Sequence, residues 1–156
     1  MTQLTIDTSR YVEPLVDVIC ERIITEQSRQ SCIDLVSALA RQSSDVSAVV
    51  PLGSGLNKVM MTKTKSWQDK VALSSCLQHL LTICKGKAIV QLAQEILPGL
   101  VGATDKETKE EVKCGGLALM GVCCFRADKC GGDVFKSLNK ALETGSDCVR
   151  RAALQA

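Results

Sequence analysis

Aromatic side chains are scarce in this chain. Only Tyr11, Trp67, Phe125 and Phe135 occur among 156 residues. A core must therefore be filled by Leu, Val, Ile, Ala, Met and Cys, a set of small and branched aliphatics that suits closely packed helices. Histidine is scarcer still: His79 stands alone, which leaves little for acid–base chemistry or imidazole ligation. Proline is confined to Pro14, Pro51 and Pro98. Long apolar runs are missing too. The densest, residues 115–125, is about half of the roughly 20 residues that a membrane-crossing helix needs. Residues 1–10 mix Thr, Gln, Asp and Ser and lack the apolar segment of a secretory signal. Neither sign of charge dominates. Nineteen Lys and Arg against seventeen Asp and Glu leave a net charge of +2, an ordinary soluble surface rather than an acidic solvating tail or a basic nucleic-acid binder. No segment shows sustained period-2 alternation bounded by Asn-Gly or Asp-Gly turns, so strands are not expected.

Aliphatics and cysteine are what the chain has in quantity: hydrophobic residues make up 46%, and nine are Cys. The odd count and the missing signal segment argue against a disulfide framework. Most of the cysteines fall within apolar helical patterns, where a reduced thiol behaves as a small hydrophobe. The expected setting is a reducing compartment, cytoplasmic or nuclear.

The prolines share a local context, Val-Glu-Pro-Leu, Val-Val-Pro-Leu and Ile-Leu-Pro-Gly-Leu, and lie 37 and 47 residues apart. Proline is tolerated in a first helical turn, where its missing N–H has no intrahelical partner anyway, so each is expected to open the first helix of a hairpin. Behind each runs an apolar stripe at helical spacing, then a polar break, then a second stripe. The first unit has Leu15, Val18, Ile19 and Ile23, a break over 25–30, then Cys32, Ile33, Leu35, Val36 and Leu39. The second has a short helix over 52–61 with two glycines, a turn over 62–66, and the longest stripe, from Val71 through Leu77 to Cys84. The third covers 89–103, breaks over 104–108 and resumes with Val112, Leu117, Leu119, Met120 and Cys123. The fourth covers 134–142, breaks over 143–146 and restarts at Val149. These patterns predict one all-α helical-repeat domain of about four antiparallel hairpins, residues 10–42, 49–85, 87–125 and 131–156.

The last segment, with Asp147, Val149, Arg150, Ala153 and Leu154 in place, resembles the turn and second helix of a HEAT repeat of the HEAT/armadillo class. A weaker copy sits in the third unit, with Leu97-Pro98, Leu100, Asp105, Val112-Lys113 and Gly116-Leu117; there Lys113 replaces Arg and glycines replace Ala. The resemblance implies an α-solenoid in which the Asp caps the second helix, the Val packs between hairpins and the Arg pairs with an Asp. More narrowly, Ser9-Arg10-Tyr11-Val12-Glu13-Pro14-Leu15, residues 108–124 and Val149-Arg150-Arg151-Ala152-Ala153 are similar to the helical repeats of the tubulin-folding cofactor D family. That similarity implies tubulin and a small Arf-like GTPase as partners. The apolar pattern stops at Ala156 with no polar terminal repeat, so more of the solenoid is expected beyond it.

Three constellations bear on chemistry. Cys76 and His79 are three apart on one helical face, conceivable as a thiol–imidazole pair but without an orienting acid or oxyanion loop. Cys114, Cys123, Cys124 and Cys130 are spaced 9, 1 and 6 apart, with no Cys-x-x-Cys pair to hold zinc. Since adjacent residues point apart on a helix, Cys123 and Cys124 cannot share a face. Gly53-Ser54-Gly55 meets neither the phosphate-loop nor the nucleophile-elbow pattern and reads as a kinked or frayed helix. Gly115-Gly116 reads as a close helix contact, and Gly131-Gly132 as a turn.

No catalytic residue, metal or cofactor is expected. The favoured expectation is a non-enzymatic protein–protein interaction scaffold, cytoplasmic, with chaperone-like tubulin binding implied by the resemblance and no membrane insertion. Its partner-binding residues would lie on two interhelical turns: Lys63, Lys65 and Trp67 on the first, Lys106, Lys109 and Glu110 on the second. The alternatives are a thiol-dependent or metal-binding helical domain using the cysteine cluster, and a helical oligomerisation bundle.

Overall fold

The computed structural model describes residues 9–43, 45–64, 66–127 and 131–156. Among them are eight α-helices and no strand: α1 (Ser9–Arg22), α2 (Glu26–Gln42), α3 (Val50–Thr62), α4 (Trp67–Ile83), α5 (Lys87–Lys106), α6 (Glu110–Ala127), α7 (Gly132–Thr144) and α8 (Asp147–Gln155). A single 3-10 turn, Val46–Val49, leads into α3. The all-α expectation holds. No helix among the described residues is long and apolar enough to cross a membrane.

Local signals account for most of the boundaries. Helix α4 starts in a capping box: Ser66 Oγ accepts from the Asp69 N–H, and the Asp69 carboxylate accepts from the Ser66 N–H, each at 3.2 Å. Gly86, at φ 118°, ends the α4–α5 connection in a conformation that side-chain-bearing residues rarely adopt. Pro51 lies in the first turn of α3. Pro14 and Pro98, by contrast, lie inside α1 and α5, which corrects the expectation that every proline opens a helix. The carbonyls deprived of a donor belong to Arg10 and Gln94, both exposed residues, so neither is lost from a buried stretch of helix. The break expected over 25–30 is also too long, because α2 begins at Glu26. Nor does Asp147 cap α8. It is that helix's first residue and pairs with Arg150 at 3.7 Å on the surface.

The helices pack in a regular order. Consecutive helices pair as α1·α2, α3·α4, α5·α6 and α7·α8, each odd helix also packs on the next odd one, and each even helix on the next even one. Cross-contacts give the directions. Arg29 meets Asp69 and Ala40 meets Cys84, so α2 and α4 run parallel. Gly115 accepts from Gln78 and Arg126 reaches Leu81 and Thr82, so α4 and α6 run parallel too. Cys114 lies beside Cys148 and Gly121 against Ala156, which makes α6 and α8 parallel.

The core is aliphatic throughout. Leu73, Leu77, Leu80 and Leu81 of α4 and Ile89, Leu92 and Ile96 of α5 are sealed from solvent, each worth about 1.5–3 kcal/mol of burial. All four aromatics are outside it: Tyr11 is 58% exposed, Trp67 40%, Phe125 80% and Phe135 56%. Close backbone approach falls at glycines. A Cβ on Gly116 would collide with Thr104 of α5, and one on Gly53 with Leu92. Gly53 and Gly55 therefore sit as contact points inside a helix that runs unbroken from Val50 to Thr62, and the expected fraying there is corrected. Arg126 closes the end of α4 by donating to the Leu81 and Thr82 carbonyls, which no helical N–H reaches.

Candidate functional site

Between the α3–α4 and α5–α6 pairs lies a cleft of about 250 Å³. Met60 and Met61 of α3, Lys70 and Ser74 of α4, Leu100 and Thr104 of α5, Glu107, and Val112 and Gly116 of α6 line it. Helical spacing explains the α4 contribution, since Lys70 and Ser74 are one turn apart on the same face. Ser74, buried, donates to Met60 Sδ at 3.4 Å. The methionines give the wall an adaptable, polarizable surface.

Charge is arranged in pairs around this cleft. Lys70 Nζ donates to Glu107 Oε2 at 2.7 Å. The other carboxylate oxygen, Oε1, accepts from the backbone N–H groups of Thr108 and Lys109 at 3.0 and 3.1 Å, so Glu107 joins α4 to the start of α6. Burial pushes the Glu107 carboxyl up, but the Lys70 hydrogen bond, the two backbone donors and the Lys70 charge outweigh it and hold the group below its ordinary value. Beside the cleft, Lys109 Nζ lies 5.1 Å from the centroid of the Trp67 ring. On the far side of α4, Asp69 is buried and paired with Arg29.

Of the six residues expected to bind partners, the fold brings Trp67 and Lys109 into contact. Lys106 and Glu110 are exposed at the facing ends of α5 and α6. Lys63 is exposed at the end of α3, where its charge acts on Cys20 of α1, and it is not part of the cleft lining. Lys65 lies outside the described residues. Lys70 and Glu107 are not among the six expected residues. Their pairing spans 37 positions, and no local spacing reveals it.

The thiols divide by burial. Cys76 is sealed in the core, and burial pushes its thiol up to about 12, while His79 three residues on is exposed. That combination keeps Cys76 protonated and gives the conceivable thiol–imidazole pair no thiolate. Burial likewise pushes Cys123 up to about 12 and raises Cys20, Cys32 and Cys84. Cys123 is buried and its neighbour Cys124 is half-exposed; Cys130 lies outside the described residues. Among the described residues, no three His, Cys, Asp or Glu side chains converge as metal ligands. Compared with known proteins, the chain matches no family model, no curated protein and no solved structure.

Proposed function

We propose that this chain is a non-enzymatic protein-interaction scaffold, a HEAT-like α-solenoid of four helical hairpins whose cleft between the second and third hairpins receives a partner protein. The observation that carries the functional reading is the placement of the aromatics. A chain with four aromatic residues exposes all four, although large rings are the side chains a core gains most from burying. Trp67 stands under Lys109 and three residues from the Lys70–Glu107 pair, and an exposed aromatic among charges beside a cleft is the composition of a binding surface. The solenoid reading is supported by the packing order: hairpin partners adjacent, alternate helices stacked and parallel.

The resemblance to tubulin-folding cofactor D nominates tubulin and a small Arf-like GTPase as the partners. The test uses purified tubulin and the purified chain in gel filtration and interferometry. Co-elution at micromolar concentration is expected, weakened about tenfold, the scale of one interface anchor, by Trp67→Ala with Lys109→Ala. Absence of binding by the unaltered chain would overturn the tubulin assignment. Small-angle scattering tests the shape independently. A solenoid should exceed the radius of gyration of about 15 Å expected for a compact domain of this length, and a value at or below it counts against the solenoid.

A further inference from the structure

Two thiols that the interaction reading does not use meet at the other side of α6. Cys114, in its first turns, and Cys148, in the first turn of α8, hold their sulfurs 3.4 Å apart across 34 positions of sequence. Cys148 is exposed and Cys114 half-buried, whereas the cysteines of α1, α2 and α4 are all buried. The two helices run parallel from this contact to a second one, where Gly121 lies against the Ala156 backbone, so their register is held at both ends.

We propose that Cys114 and Cys148 form an oxidation site at which a peroxide converts two thiols into a disulfide that staples α6 to α8. The Cys148 sulfur, reached from solvent, attacks one oxygen of hydrogen peroxide. The O–O bond breaks, Cys148 becomes a sulfenic acid, and the second oxygen leaves as water with the thiol proton. The Cys114 sulfur then attacks the Cys148 sulfur. The S–S bond forms as the S–O bond breaks, and the hydroxyl departs as a second water with the Cys114 proton. Two thiols lose two electrons in all, and one peroxide becomes two waters.

The geometry suits the second step. A disulfide needs its sulfurs at about 2.05 Å, and the two already stand 3.4 Å apart. Burial, the neighbouring Cys148 sulfur, and the carboxylates of Glu110 and Glu111 push the Cys114 thiol up to about 11. Exposure assigns the roles: Cys148, open to solvent, attacks first, and the half-buried Cys114 resolves.

The test treats the reduced full chain with hydrogen peroxide and maps its peptides without reduction. A Cys114–Cys148 cross-link, a melting temperature raised by about 5–10 °C and reversal of both by dithiothreitol are expected. Cys148→Ser, an exposed change, should abolish the cross-link and the thermal gain. Cys114→Ser should leave a Cys148 sulfenic acid that dimedone traps. If peroxide instead drives the unaltered chain only to Cys148 sulfinic acid, to an intermolecular disulfide, or to a cross-link with another cysteine, the proposal fails. It stands or falls independently of tubulin binding.

Discussion

Arg29 in the second turn of α2 donates to the Asp69 carboxylate in the first turn of α4 at 2.5 Å, joining residues 40 apart in sequence. Asp69 has 7% side-chain exposure and Arg29 20%. The same carboxylate closes the capping box of α4. One side chain thus starts a helix and anchors it to its neighbour, while Arg29 Nε remains buried without a partner.

Asp69→Ala should therefore cost far more than an exposed cap, about 3–5 kcal/mol, as for a buried pair broken on one side. Urea unfolding measures it. Adding Arg29→Met to that variant should restore part of the loss, because the stranded charge is removed; a double variant no more stable than Asp69→Ala would contradict the pairing.

Glu107 makes stability depend on acid. Its folded-state pKa lies below the ordinary 4.5, so its contribution is complete above that value and is lost as pH falls through the lower folded one. Glu107→Gln should be less stable than the unaltered chain at pH 7, and the gap in melting temperature should close as pH falls through the acid range below 4.5. A gap constant across that range would show that the Lys70 pair contributes nothing.

Trp67 is the sole tryptophan, so emission reports directly on its contact with Lys109. Lys109→Ala should shift the emission to longer wavelength as the ring gains water, and should lower stability by about 0.5–1 kcal/mol. Unchanged emission would remove Lys109 from the Trp67 face.

Adjacent glycines in α6 should respond oppositely. Gly116→Ala drives a methyl into Thr104, a stiff, buried, β-branched neighbour, and should cost about 1–3 kcal/mol. Gly115→Ala meets Ser74 at an ordinary 3.6 Å and should be neutral or stabilise by about 0.5–1 kcal/mol through helix propensity. Thermal melts of the two variants settle the comparison.

The helices were legible in the sequence because each buries a stripe at helical spacing and ends where that stripe gives way to polar residues, as at Thr62 and Thr144. Helix α2 shows the limit of that signal. Its first turn, Glu26 onward, is exposed and polar, so it looks like a break although it is helical. Pro14 and Pro98 misled for a related reason: a proline's effect depends on whether water can reach the carbonyl it abandons, which only the fold decides. Trp67 and Lys109 could be singled out as turn residues, but not as partners. Their meeting, like those of Lys70 with Glu107 and Cys114 with Cys148, depends on how one helix slides along another, and a one-dimensional pattern does not record that offset.

The order in which the helices pack also governs how the chain finds its shape. Among the described residues, every substantial contact between α-helices joins helices next to each other or next but one, so no loop spanning all of them has to close before stabilising contacts begin to form. Assembly can start wherever local burial is greatest, around α4, α5 and α6, and spread outward. Helix α4, with Leu73, Leu77, Leu80 and Leu81 sealed from solvent and neighbours on both sides in α2 and α6, should hold its amides longest against exchange with solvent.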